Sequence, residues 1–259
     1  MSSIDALMER TQWDLSFVPP DTRIVDRPEL RYCVSLRDVP HLNCVVRTRL
    51  NDETRAAAIE EVSEAHASVI SQWLVHDWRE DDLLSRALSR TGYRPAVEHR
   101  AFVSDASREI EAAEHSVVRR VETLEAFRDG AAVFHRAFEV PRTVAEAEEV
   151  RRLNDCKDPT GRVHRFVAYE DGKPVSGGAM TLFPSLGLAM LWRGGTVPEA
   201  RGRGHYRAVL RARMRTAAQR GIGLVGLYAN LRTSAPIVEA LGFEGYGRMT
   251  YWNRDGNGG

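Results

Sequence analysis

The run Thr196-Val197-Pro198-Glu199-Ala200-Arg201-Gly202-Arg203-Gly204-His205-Tyr206 sets two glycines between an apolar segment and a helical one. Upstream, Leu188–Val197 reads as a strand. Downstream, Gly204–Arg220 reads as a helix, with Val209, Leu210, Met214 and Ala217 on one face and Arg207, Arg211 and Arg215 turned outward. Gly202 and Gly204 let the backbone come close to whatever lies above it. The first turn of the helix leaves its N–H groups without intrahelical partners. Those donors and the helix dipole make an anion site suited to a pyrophosphate. Arg201 and Arg203 add positive charge beside it. Two other phosphate-binding patterns are excluded. The ATP-loop pattern G-x-x-x-x-G-K-[ST] is absent, and the dinucleotide fingerprint needs a third glycine where Arg207 stands.

Outward from this turn, the second half reads as alternating strands and helices. A strand at Ser116–Val121 precedes a helix capped by Thr123 and running through Phe138. Pro141 breaks it, and Thr143–Asn154 forms another helix. Asp158–Gly161 reads as a turn. Val163–Tyr169 and Val175–Leu182 form a hairpin across Asp171-Gly172. Leu224–Ala229 is an apolar strand, Ser234–Leu241 a short helix capped at Thr233 or Ser234, and Phe243–Trp252 a last strand before a tail at Asp255–Gly259.

In the first half, residues 1–28 read as irregular. Arg31–Ser35, Cys44–Arg49 and Ser71–His76 read as strands. A helix starts at Asn51 or Asp52 and runs to Ala67, and a second spans Asp81–Arg90. Pro95–Val103 is extended, and the polar stretch Asp105–Glu114 is taken as a linker.

The two halves repeat one pattern. The first ends Thr91-Gly92-Tyr93 and the second Leu241-Gly242-Phe243, with a central helix starting about 40 residues before each glycine. Two domains are expected, 1–112 and 113–259, each an α/β (α+β) unit with a mixed central sheet flanked by helices.

Composition bounds the partners. The 259 residues carry 36 basic and 36 acidic side chains, so the net charge is zero and no nucleic-acid or membrane-surface partner is expected. No signal peptide is read at Met1–Asp5, and no apolar run approaches the roughly 20 residues a membrane span needs. Cys33, Cys44 and Cys156 form no disulfide framework and read as small buried hydrophobes. A cytoplasmic protein is expected. No His, Cys and carboxylate set has metal-ligand spacing, so no metal is expected.

From the residues Thr196–Gly204, Ala208-Val209-Leu210 and Ser234–Phe243, the chain resembles the GNAT acyltransferase superfamily over about residues 116–252. The resemblance implies acetyl-CoA as co-substrate, lying across a splayed pair of parallel strands. It implies pantetheine contacts at Gly195, Thr196 and Val197, a pyrophosphate held by Arg201, Gly202, Arg203, Gly204, His205 and Tyr206, and further contacts at Thr233 and Ser234. The first half looks like a degenerate second copy. Its corresponding turn, near Leu50-Asn51-Asp52-Glu53, has no glycine and carries acid, so only the second copy is expected to bind CoA.

The implied reaction is direct attack of an amine of a small molecule or peptide on the thioester. The amine proton needs a base, the leaving thiolate a donor, and the oxyanion a backbone N–H near Gly195–Val197. Many members carry a tyrosine four residues before the glycine of the last Leu-Gly-Phe; here Val238 stands there. Tyr206 and Tyr228 are the candidate donors, with helix packing against Val209 and Leu210 the competing role for Tyr206. The sequence identifies no base: Glu199, His135, His164 and His205 are the residues considered, and each reads first as structural or solvated, with an outward role for His205. Gly194-Gly195 inside a strand signals a bulge or a close approach to a ligand. The acceptor amine is expected near the acidic segment Glu139–Gly161, which also reads as a solvated helix face. The first copy is expected to cover the acceptor pocket or to form a homodimer face. The alternative function is a non-catalytic acyl-CoA sensor or interaction module.

Overall fold

In the computed structural model, residues 3–79, 82–112, 115–140, 146–158 and 161–256 are described. The breaker Pro141, the helix start at Thr143, part of the turn at 158–161 and the tail end 257–259 lie outside them. In chain order the elements are α1 (Ser3–Gln12), β1 (Arg23–Asp26), β2 (Leu30–Val34), β3 (Cys44–Thr48), α2 (Asp52–Ala65), β4 (Ser71–His76), α3 (Asp82–Arg90), β5 (Arg94–Asp105) and β6 (Val117–Arg120). There follow α4 (Leu124–Phe138), α5 (Glu146–Lys157), β7 (Val163–Glu170), β8 (Lys173–Phe183), β9 (Leu188–Thr196), α6 (His205–Gln219), β10 (Leu224–Asn230), α7 (Ala235–Ala240) and β11 (Glu244–Arg254).

Two elements, α1 and β1, fall where irregular chain is expected. The reason for α1 is that its inner face is largely polar. It buries Asp5, Met8, Glu9 and Thr11 at helical spacing, so no apolar periodicity marks it. Glu9 is held by Arg49 at 2.7 Å, and Asp5 accepts the Gly247 N–H at 3.1 Å. Capping follows the residue chemistry elsewhere. Asn51 and Thr54 form a reciprocal capping box on α2, and Thr123 accepts the Ala126 N–H on α4.

The chain forms two compact units. The first is Met1–Phe102 with Tyr228–Ala240 and Gly245–Gly259; the second is Val103–Leu227 with Leu241–Glu244. A division at residue 112 leaves the chain after Leu227 in the second domain, whereas most of it packs into the first unit. The cause is β11, whose residues Met249–Arg254 pair antiparallel with His76–Ser71 of β4.

In the first unit the strand order is β1-β2-β3-β4-β11-β5. All six residues of β4 are buried, as in a central strand covered on both faces. Alternation sends Tyr32, Val45 and Trp73 to a core with Ile59, Val62 and Leu88 of the helices. Their neighbours Cys33, Val46 and Leu74 go to a second core with Leu15, Leu42 and Met249.

In the second unit the order is β10-β9-β8-β7-β6, antiparallel except for the parallel pair β9 and β10. Gly177 and Gly178 of β8 show which helix lies where. A Cβ at Gly177 would approach Val133 of α4, and one at Gly178 would approach Arg213 of α6. Adjacent strand residues face opposite ways, so α4 and α6 cover opposite faces of β8. One β–α–β crossover occurs in each unit, β3-α2-β4 and β9-α6-β10.

Candidate acyl-donor site

The parallel ladder of β9 and β10 covers only Leu224↔Leu188, Val225↔Ala189 and Gly226↔Met190. β9 continues to Thr196 beyond that register, paired with β8 on its other side. Alternation then sorts the backbone groups. The Val197 N–H is bonded to the Val175 carbonyl at 2.9 Å, and the Gly195 carbonyl takes the Ser176 hydroxyl at 2.9 Å. Residues alternate between the two edges of a strand, so the Thr196 N–H and C=O face away from β8. The Thr196 carbonyl accepts Arg201 Nε at 3.3 Å on that edge. Of the three residues expected to offer an oxyanion donor, Val197 is spent, and Thr196 is the one turned outward.

Between Trp192 and Gly195 the strand bulges. Ala179 pairs with Trp192 and Gly177 with Gly195, so Arg193 and Gly194 oppose the single residue Gly178. Arg193 takes a left-handed φ of 52° to make the bend. The close approaches at this double glycine are to the protein itself. A Cβ on Gly194 would lie 2.9 Å from the Tyr206 ring, and one on Gly195 would lie 2.9 Å from the Phe138 ring.

Gly202 and Gly204 have φ of 76° and 84°, conformations that a side chain strains. Nothing lies within 4 Å of a Cβ built on Gly202. The first helical bond of α6 runs from the Ala208 N–H to the Gly204 carbonyl, so the N–H groups of His205, Tyr206 and Arg207 have no helical acceptor. No side chain caps this end and no acid lies in its first turn. The charges differ from the expectation. Arg203 is ion-paired with Glu170, and Arg201 folds back on the carbonyls of Thr196 and Ala137. With both arginines engaged, the backbone N–H groups are the open donors of the turn.

His205 points inward, against the expected outward role. It is 1% exposed, and its Nδ1 lies 2.7 Å from Ser116 Oγ. Burial, His115 and Arg203 together hold its imidazole below the usual range. Tyr206 is half-buried and its ring lies against the Gly194 bulge. Beside it is Arg213, 1% exposed, which donates to the Ala179 carbonyl at 3.3 Å and lies against the Tyr206 phenol. Burial pushes the Arg213 guanidinium down, and the adjacent Tyr206 phenol pulls it partly back. Arg213 and Gly178 escape sequence reading, because an arginine at an inward helix position carries no local signal.

The remaining candidates fall into two groups. Tyr228, Thr233 and Ser234 belong to the first unit. Tyr228 lies beside His76 with its hydroxyl unpartnered, and burial drives its phenol well above the usual range. The Ser234 hydroxyl accepts the Asn230 N–H at 3.0 Å. Glu199 is exposed and paired with Arg136, and its own N–H and that arginine hold it below the usual carboxylate range, which suits a surface latch better than a base. His135 contacts the Val140 carbonyl at 2.9 Å. His164 is fully buried with both ring nitrogens unpartnered. All three cysteines are free and buried, and burial raises each thiol. In the acidic segment, Glu148 is bridged by Arg151 and Arg152 and falls to about 2, while buried Glu149 pairs with Arg128 at 3.1 Å. Among the described residues, these two glutamates are paired with arginines.

The first unit holds a counterpart. The β3 and β4 ladder also stops early, at Val45↔Trp73, and a cavity of about 320 Å³ opens among Val46, Thr48, Leu74 and His76. The carboxylate of Glu9 reaches its Arg49 wall. The turn after β3 carries Asn51, Asp52 and Glu53 where the second unit has glycines.

No family model and no curated protein matches the chain by sequence. Solved structures do match. A GCN5-related N-acetyltransferase from Kribbella flavida superposes with a TM-score of 0.69 at 16% identity, over 99% of this chain and 98% of that one. One from Sphaerobacter thermophilus gives 0.64 at 18% identity, over 89% and 82%. A tandem GNAT protein from the clavulanic acid biosynthesis pathway gives 0.59 at 16%, over 95% and 87%. The chain has the fold of the GCN5-related N-acetyltransferases, the GNAT fold. Among the described residues no helix is long and apolar enough to cross a membrane.

Proposed function

We propose that the protein is an acetyl-CoA-dependent N-acetyltransferase acting on an amine of a small molecule or peptide, with the second unit as its catalytic domain. The observation that carries this reading is the end of β9. A strand freed from its parallel neighbour leads into two left-handed glycines and three open N–H groups at the start of α6. Those groups fit a pyrophosphate, and the open space over Gly202 leaves room for it. Acetyl-CoA supplies the thioester that the amine attacks. The Thr196 N–H is the donor for the oxyanion. Tyr206, seated beside the Arg213 cation, is the proton donor to the leaving thiolate.

Val238, buried and apolar, and the lack of any carboxylate on β9 favour a second reading, a non-catalytic acyl-CoA-binding module. Calorimetry with acetyl-CoA and thiol release against an amine library separate the two. Binding with turnover supports the enzyme; binding with none across the library supports the module. Gly204→Asp places a side chain on a left-handed backbone and a negative charge at the phosphate turn. It is expected to weaken acetyl-CoA binding at least about tenfold, the effect of a charge clash worth roughly 1.4 kcal/mol. The folded far-ultraviolet spectrum is retained. Unchanged affinity removes the phosphate assignment.

A further inference from the structure

Three side chains converge on the inward side of His205, and none is used by the acyl-donor site. Val117 of β6 pairs with Tyr169 of β7, so the chain entering β6 runs beside Glu170 at the end of β7. This brings His115 and Ser116 to the first residue of α6. His205 Nε2 lies 3.5 Å from Glu170 Oε1, and His115 Nε2 lies 3.8 Å from the same oxygen. The two imidazoles meet edge to face at 5.3 Å. One ligand atom from each of His115, Glu170 and His205 lies within 4.8 Å of the others.

Three features distinguish this set from a chance surface cluster. His205 Nε2 is buried and makes no hydrogen bond. Ser116 Oγ sits 2.7 Å from Nδ1, the contact that lets His205 donate through Nδ1 and turn its Nε2 lone pair toward Glu170. Arg203 pairs with Glu170 Oε2 and leaves Oε1 to face the two rings. In the tautomer with Nδ1 protonated, a lone pair and a carboxylate oxygen face each other across this gap and can share a cation. The spacing suits one. Ligand atoms at a zinc bond length of roughly 2.0–2.1 Å in a tetrahedron stand about 3.4 Å apart.

We propose that His115, Glu170 and His205 bind a divalent late first-row transition cation, zinc being the reference ion, through Nε2, Oε1 and Nε2. Imidazole and carboxylate donors suit this class of ion. The fourth position opens on the solvent side, where His115 is exposed. Because Glu170 also holds Arg203, the site is weaker than a closed structural site. An ion there ties the start of α6 to the ends of β6 and β7.

The full chain, stripped with chelator and dialysed free of it, is titrated with Zn²⁺ by calorimetry and with Co²⁺ by visible absorption. One ion per chain is expected, with Co²⁺ giving the d–d bands of low-coordinate nitrogen and oxygen ligation. His115→Ala, at an exposed position, and Glu170→Gln are each expected to weaken Zn²⁺ at least about tenfold, no less than the loss of an outer partner costs. His41→Ala, an exposed histidine of the first unit, leaves it unchanged. The proposal fails if the wild-type chain takes up no Zn²⁺, or if either site variant binds like wild type. Equal weakening by His41→Ala means an adventitious ion only and also overturns it. None of these readings depends on acetyl-CoA.

Discussion

Tyr206 and Gly194 pack against each other between the start of α6 and the bulge of β9. The Tyr206 ring occupies the space in which a Gly194 side chain would stand. Gly194→Ala is expected to push the ring aside, cost about 1–3 kcal/mol by overpacking, and lower kcat. Urea unfolding and steady-state kinetics on the same variant check both effects. Tyr206→Phe keeps the ring and removes the proton. If Tyr206 is the donor, kcat falls roughly 100-fold while acetyl-CoA affinity holds within about twofold. A wild-type kcat returns the residue to a packing role. Sequence reading singled out Tyr206 and both glycines but not Arg213, because what matters about Arg213 is that it is buried under the bulge without a carboxylate.

At the scale of elements, local chemistry and structure agree where the signal is local. The hairpin turn at Asp171-Gly172, the caps at Asn51 and Thr123 and the left-handed glycines before α6 all stand where residue type places them. Thr123→Ala removes the bond to the Ala126 N–H and is expected to cost about 1 kcal/mol, read as a lowered urea midpoint with an unchanged slope. Two short elements were illegible. α1 is held by buried carboxylates that an apolar pattern cannot reveal, and β1 is four residues with an exposed or half-buried pattern. The inward turn of His205 was equally hidden. It depends on the β6 and β7 register, which sets Ser116 and Glu170 in reach.

For the whole molecule, two buried imidazoles predict how stability follows pH. His66 and His164 are each held near a pKa of about 4 from the ordinary 6.5, chiefly by burial. Their folded pKa values are depressed, so between pH 6.5 and 4 the unfolded chain binds more protons than the folded one. The share of stability due to these two residues therefore falls as pH drops through that window and is constant above it. Each residue accounts for about 3 kcal/mol across the full window. Urea midpoints at pH 7, 5.5 and 4.5 measure the trend. His164→Leu is expected to remove about one proton from the slope; an unchanged slope refutes the assignment for that residue.

The sequence alone determined the α/β alternation and the glycine turn that opens α6. These rest on periodicity and on glycine, which act within a few residues. It also pointed to the GNAT fold that the superpositions bear out. Only the tertiary structure decided that β11 joins the sheet of the first unit, that Arg203 is already paired, and that His115, Glu170 and His205 meet. Each of these joins residues far apart in the chain. Long-range strand register and burial fix them, and no local spacing encodes either.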